Sequence, residues 1–314
     1  MIYLEKIEIE VIFKKIHYDI EKKEIKVKIK YECLPCLSRQ TASLARQVTG
    51  NVELQKKIIM NGLRVLSERA FIDSSPKVTA DIYNIAKGLS SCIDPFEEEK
   101  KLFNDVAIDL IEKYKFEKMI QEGVNPIETA VRLSIAGNII DFSVSDNLDE
   151  SHVIDSIEKS LKVDLFAGNM EKFKSACSNA LRIMIIGDNS GEIVFDKLLV
   201  NALDKSKVTY VVKGGPIVND ATMEDAKYIG MNDLVRVITT GSAIQGAELQ
   251  YCSDEFRKEF EAHDLIICKG QANFETLDEI TGKEIFFLLM AKCDTVANEI
   301  GCNTNDFVLL HHNG

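Results

Sequence analysis

Arg182-Ile183-Met184-Ile185-Ile186 runs directly into Gly187-Asp188-Asn189-Ser190-Gly191-Glu192. The apolar run predicts a buried strand, and Ile193 to Leu203 predicts the helix that follows it. A strand ending this way puts a carboxylate and an amide oxygen at the C-terminal edge of a sheet, where doubly wound folds bind ligands. The next strand-like run, Val208 to Lys213, ends in Gly214-Gly215-Pro216-Ile217-Val218-Asn219-Asp220 and brings a second carboxylate to that edge. Taken alone, Asp188 reads as a helix N-cap, and so does Ser190. With Asp220 at the matching place one strand later, a metal site of Asp188, Asn189 and Asp220 is the better reading. These hard oxygen donors, without Cys or His, favour Mg²⁺ or Mn²⁺, with Co²⁺ or Ni²⁺ as alternatives.

The same grammar of short apolar strand, loop and helix continues from about Gly168. Candidate strands are Ile183–Gly187, Val208–Lys213, Val235–Thr239, Leu265–Lys269, Ile285–Met290 and Phe307–Leu310. Continuous Val, Ile and Leu runs separated by helices predict a mostly parallel sheet covered on both faces. Upstream, Tyr31 to about Phe166 reads as helical. Ser75-Pro76, Asp94-Pro95-Phe96-Glu97 and Asn125-Pro126-Ile127-Glu128 are start signals. After Asp94, the residues Phe96, Leu102, Phe103, Val106, Leu110 and Ile111 are expected to face inward. The reading is therefore an α/β chain: an N-terminal extension (1–30) that reads equally as a β-hairpin or a weakly ordered segment, a helical domain (31–167), and a three-layer α/β/α Rossmann-like domain (168–314) with a mostly parallel sheet and the catalytic metal site.

The chain has 314 residues and a net charge of -12. Acidic balance without a basic patch argues against nucleic-acid binding. An anionic substrate then requires a metal and local lysines to reverse the field. No apolar run reaches the ~20 residues that a bilayer needs, so no membrane partner is expected. The eight cysteines do not pattern as a disulfide framework, and Cys177, Cys268 and Cys293 sit in apolar or helical contexts; a reducing cytoplasm is expected. Cys33-Leu34-Pro35-Cys36 is half a zinc signature without its second half, and reads better as a strand–helix junction carrying two thiols. His311-His312 is expected to be solvated.

Strand ends of one sheet converge, so their polar residues form a series. Glu192 joins the first loop, Lys213 and Asn219 the second, and Thr240 and Ser242 the third. Lys269, Gly270, Gln271, Asn273 and Glu275 follow the fourth strand, and Lys292 and Asp294 the fifth. Each lysine alone reads as a solvated strand terminus; Lys269 and Lys292 on one edge suit a phosphate. Asn138 and Asp141 lie at i, i+3 in an apolar helix that would close the pocket from the helical side. The parts fit phosphate chemistry, with Ser190, Gly270 and Asn273 as further phosphate contacts. A divalent cation polarises the phosphoryl oxygens while lysines and loop amides balance charge. The general base is Asp220 or Glu192, or Asp188 attacks phosphorus itself; both routes stay open.

Together these motifs resemble the damage-control phosphatases, a family long catalogued as a domain of unknown function. The likeness runs from about Glu32 to Leu310. It rests on Cys33 and Cys36, Gly137-Asn138 with Asp141, Asp188-Asn189, Asn219-Asp220, Lys269 to Glu275, and Lys292-Cys293-Asp294. The CxxC is similar to the microbial and archaeal branch. The resemblance implies metal binding by Asp188, Asn189 and Asp220, and substrate contact by Asn273 and Lys292. It also implies hydrolysis of unwanted phosphometabolites, sugar phosphates among them. The eukaryotic branch carries Arg-Thr-x-Lys, of which Leu289-Met290-Ala291-Lys292 keeps only the lysine. Two other readings compete: a nucleotide-fold methyltransferase using S-adenosylmethionine, disfavoured by Lys213 at the second strand end, and a metal-dependent sensor of phosphometabolites without turnover. A haloacid-dehalogenase-type phosphatase would need Asp-x-Asp, and Ser190 stands at its second position.

Overall fold

Six strands form in the expected places because each is a short apolar run that a sheet covered by helices can bury on both sides. The computed structural model describes residues 29–139 and 150–313. The strands are β1 (Ile183–Ile186), β2 (Val208–Val212), β3 (Arg236–Thr239), β4 (Leu265–Lys269), β5 (Glu284–Met290) and β6 (Phe307–Asn313). They lie in the order β3-β2-β1-β4-β5-β6. The first five are parallel and β6 is antiparallel to β5. Every residue of β1, β2 and β4 is buried. The chain winds outward from β1 to β3, then crosses back to start β4 on the other side of β1. That reversal opens a crevice beyond the C-terminal ends of β1 and β4.

The helices are α1 (Cys33–Val48), α2 (Val52–Arg69), α3 (Ser75–Ser90), α4 (Glu97–Tyr114), α5 (Phe116–Glu122), α6 (Pro126–Ala136) and α7 (Glu150–Lys162). They continue with α8 (Met170–Asn179), α9 (Glu192–Ala202), α10 (Met223–Tyr228), α11 (Asp254–Ala262), α12 (Gly270–Leu277) and α13 (Asp294–Ile300). Helices α1 to α3 share a core of Leu37, Leu44, Ile58, Leu66, Ile82 and Tyr83, joined by Ile217 from the loop after β2. Residues of α4 to α6 pack with Ile183, Ile185 and Phe286 on one sheet face. Met184, Ile186 and Phe287 point the other way, to Phe256 and Phe260 of α11. The alternation along β1 follows the two-residue period of a strand and yields three layers.

Several local expectations shift. Ser74 rather than Ser75 caps α3, accepting from Lys77 N, with Pro76 in the first turn. Helix α4 begins at Glu97, not Pro95; the Asp94 carboxylate instead accepts from Phe96 N at 3.0 Å. Leu102 faces solvent at 47% exposure, because one turn of α4 looks away from the sheet. Cys33 opens α1 directly, and residues 29–32 contain no strand, so the CxxC is a helix start rather than a strand–helix junction. His311 and His312 are not solvated: β6 extends to Asn313, pairing them with Phe286 and Ile285. The His311 ring lies 4.6 Å from that of Phe286. Residues 1–28 of the extension, and Asp141, lie outside the described residues. No described helix is long and apolar enough to cross a membrane.

Candidate active site

Two loops meet side by side at the crevice. Ala221 N donates to Asp188 O at 2.8 Å, Ser190 N donates to Asn219 O at 2.9 Å, and Asn189 faces Asp220 across an antiparallel bridge. Lys213 N donates to Ala221 O at 2.9 Å, closing the excursion from Gly214 to Asp220 at its base. The acids that the sequence places one strand apart are thus held by backbone pairing, independently of their side chains. A third contribution comes from β4. Gly270 adopts φ +73°, and a Cβ built on it would lie 1.8 Å from Asp188 Oδ2. Only a residue without a side chain lets α12 approach the acid this closely.

Beneath the loops lies a buried polar network. Asp188 Oδ2 accepts from Asn189 Nδ2 at 3.0 Å and from Asn138 Nδ2 at 3.3 Å. The same Asn138 amide donates to Glu192 Oε2. Lys269 Nζ donates to Glu192 Oε1 at 2.5 Å, Asp196 Oδ1 at 2.7 Å and Ser134 O at 2.9 Å. Asp196 also accepts from Ser134 Oγ and from the Tyr210 hydroxyl, both at 2.6 Å. On the other side, Gln245 Nε2 donates to Asp220 Oδ1 at 3.1 Å, and Lys213 Nζ lies 3.6 Å from Asp220 Oδ2. Asn138, Asp188, Asn189, Glu192, Asp220, Lys269 and Gly270 therefore come together, and Lys269 is buried with its three protons on protein acceptors rather than solvated.

Other expected residues serve neighbouring structures. Asn273 Nδ2 donates to the carbonyls of Ile186, Gly187 and Lys269, stitching the ends of β1 and β4 together. Ser190 Oγ donates to Asp225 Oδ1 at 3.1 Å. Asp225 also accepts from Asn104 and Lys100, so Ser190 belongs to the tie between α4 and the start of α9. Lys292 is half-buried, and its N–H donates to Gln271 Oε1. Sequence reasoning overlooks Asp196, Ser134, Tyr210 and Gln245. Asp196 carries a signal: it follows Glu192 by four residues in an otherwise apolar helix, hence on the same face.

Burial raises the Glu192 carboxyl to about 7; Lys269 opposes this, and the charges of Asp196 and Asp188 reinforce it. For Lys269 burial favours the neutral amine, but the Asp196 and Glu192 charges outweigh it, and the ammonium is held more firmly than usual. Lys269 pairs with Glu192 and Asp196, Lys213 lies beside Asp220, and Asp188 adjoins them, all in a region almost closed to solvent. Buried charge is tolerated only where it is paired and hydrogen-bonded in this way. The amide oxygens Asn138 Oδ1 and Asn273 Oδ1 find no hydrogen-bond partner among the described residues. No three His, Cys, Asp or Glu side chains of the described residues converge as metal ligands do. A cation here would combine the two loop acids with amide oxygens. All eight cysteines are free thiols.

A doubly wound α/β fold whose acids gather where the strand order reverses has its candidate site at the strand ends, the usual ligand position of this class of protein. The damage-control phosphatase ARMT1-like domain matches residues 29–308, and the chain belongs to that family. It is 36% identical over 293 residues to an uncharacterized protein of Methanocaldococcus jannaschii, covering 90% of this chain and 95% of that one. It is 34% identical over 279 residues to a damage-control phosphatase of Pyrococcus horikoshii, covering 87% and 94%. The crystal structure of a DUF89 family protein from Pyrococcus horikoshii superposes with a TM-score of 0.80 at 33% identity, over 91% of this chain and 99% of that chain.

Proposed function

We propose that this chain is a divalent-metal-dependent phosphatase that hydrolyses phosphomonoesters of small metabolites. Asp188, Asn189 and Asp220 would hold the cation, which supplies Lewis-acid polarisation of the phosphoryl oxygens and a more acidic bound water. The observation carrying this reading is the pairing of the two acid-bearing loops: Asn189 faces Asp220 across an antiparallel bridge and Ala221 N donates to Asp188 O at 2.8 Å, so the three oxygen-bearing residues share one junction. The site residues are oxygen donors, in keeping with Mg²⁺ or Mn²⁺.

The remaining residues hold this arrangement. Glu192 has one oxygen on Lys269 and the other on Asn138, which fits a positioning role. Asn138 in turn donates to Asp188. Gln245 and Lys213 flank the Asp220 carboxylate and hold it at the loop junction. Gly270 opens α12 next to Asp188, where backbone N–H groups at a helix N-terminus favour an anion. Lys292, on the segment between β5 and α13, would add positive charge at the same edge. The free thiols agree with a reducing cytoplasmic setting.

Phosphate release from sugar phosphates and cofactor phosphates, assayed with Mg²⁺, Mn²⁺, Co²⁺ and Ni²⁺ in turn, tests the proposal. Metal-dependent turnover lost in Asp220→Ala, with the circular dichroism spectrum unchanged, is the expected result. Full activity of Asp220→Ala in the presence of metal would sink the assignment.

A further inference from the structure

A cavity of about 320 Å³ lies between α1, α3, the start of α4 and the loop after β2. That volume is at the lower end of the ~300–1,000 Å³ typical of small-molecule sites. Its wall is mainly carbon: Leu37, Leu44, Ile82, Tyr83, Phe96 and Phe103. Val218 adds to it, and Gln40, Thr41, Ser43, Thr79, Glu99 and Asn219 are its polar members. Asn219 is the residue that accepts from Ser190 N and directly precedes Asp220, so the cavity abuts the proposed phosphate site through the backbone that builds that site.

Two further observations mark this cavity as more than imperfect packing. The Tyr83 hydroxyl, on a side chain 2% exposed, finds no hydrogen-bond partner among the described residues. Buried phenols ordinarily find one. The ring itself is fixed, stacked on Phe96 with centroids 6.4 Å apart and planes at 22°. Burial, and then nearby charges that include Asp94 and Asp220, raises the phenol well above its ordinary range and keeps it a neutral donor. Val218, in addition, adopts φ 45°, a strained conformation for a β-branched residue. Backbone strain of this kind concentrates at ligand sites.

We infer that this cavity is the subsite for the alcohol part of the substrate, and that it takes a flat, largely apolar ring carrying one hydrogen-bonding group, which meets the Tyr83 hydroxyl. The inference rests on the phosphatase reading above. It narrows that reading away from sugar phosphates, because a polyol needs polar partners all round, whereas most of the accessible surface of this wall is carbon. The Thr41 hydroxyl already donates to Leu37 O at 2.8 Å. Tyr83 is then a specificity-determining residue, placed to read the ring and not to touch the phosphorus.

The test compares 2-naphthyl phosphate, 6-hydroxy-2-naphthyl phosphate and glucose 6-phosphate with the full chain and metal present. Expected is a kcat/KM at least about tenfold higher for the naphthyl esters than for the sugar ester, the scale of one well-filled apolar pocket. The hydroxylated ring should be favoured further, and Tyr83→Phe should erase that extra preference while leaving the plain ring favoured. Independently of turnover, 2-naphthol should bind by fluorescence titration. Ser43→Phe, at the exposed cavity mouth, should block that binding without changing inhibition by inorganic phosphate. Preference for glucose 6-phosphate with no naphthol binding overturns the inference and leaves the phosphatase reading standing. Naphthol binding without phosphate release from any ester, with any metal, overturns the role as a leaving-group subsite together with that reading.

Discussion

Gly270→Ala should disable the site while leaving the fold nearly intact. The added Cβ would sit 1.8 Å from Asp188 Oδ2, whereas ordinary contact begins at 3.4 Å. The acid or the start of α12 must therefore yield by about 1.6 Å, the difference of those two distances. Misplacement of a reacting group by about 1 Å costs on the order of 10²-fold in rate, so a loss of at least that size in kcat is expected. The left-handed backbone at φ +73° costs a residue with a Cβ roughly 1–2 kcal/mol, and displacing the buried acid adds about 1–3 kcal/mol. At about 2–4 °C per kcal/mol, Tm should fall by more than strain alone would cause. Gly282→Ala is the control. Its φ is +76°, yet nothing lies within 4 Å of the Cβ position. It should show a smaller loss of Tm, from left-handed strain alone, with full activity. Measured together by metal-dependent phosphate release and thermal melting, the two variants separate strain from displacement. Should Gly270→Ala retain activity within a few-fold of Gly282→Ala, the close approach does not position Asp188 and the account of the site is wrong.

Other expectations follow from the same network. Mg²⁺ or Mn²⁺ at a hundred times its Kd should stabilise the chain by about 2.7 kcal/mol, seen as a rise in Tm that Asp220→Ala abolishes; an equal rise in that variant would place the cation elsewhere. Lys269→Met leaves Glu192 and Asp196 buried without their ammonium and should cost about 3–5 kcal/mol. Adding Glu192→Met should recover part of that loss in urea unfolding, and a near-neutral single variant would contradict the ion-pair geometry. Burial holds His263 below the usual histidine range. The unfolded chain therefore binds the extra proton first as pH falls, so stability is full above about 6.5 and declines below it until the folded-state pKa is passed. His263→Gln should flatten that segment of the Tm–pH curve, and an unchanged slope would remove His263 as its source.

Some of this architecture is legible in the chain and some is not, for identifiable physical reasons. Ile183 to Ile186 and Leu265 to Lys269 declare themselves as strands because a sheet buried on both faces leaves no polar residue to interrupt the run. Asp188 and Asp220 stand out because an acid recurs at successive strand ends, and the loops that carry them do pair. Position along a strand does not, however, say which partner a side chain takes. Lys269 and Lys213 look alike in sequence, each closing an apolar run, yet Lys269 is buried between two carboxylates while Lys213 is buried on two backbone carbonyls beside one carboxylate. Asp196 is hidden by its helix, where one acid on an apolar face looks like a helix boundary until Tyr210, Ser134 and Lys269 are seen around it. Ser190 stands beside the acids in sequence but is turned by the entry to α9 onto Asp225. The three cases share a cause. A backbone-set feature such as a strand end is encoded locally, whereas the charge balance of a buried cluster is a sum over α6, α9, β2 and β4 that no single segment contains. The helical cavity is the extreme case, since the apolar period that makes Ile82 and Tyr83 face inward is the same whether what they face is another side chain or an open space.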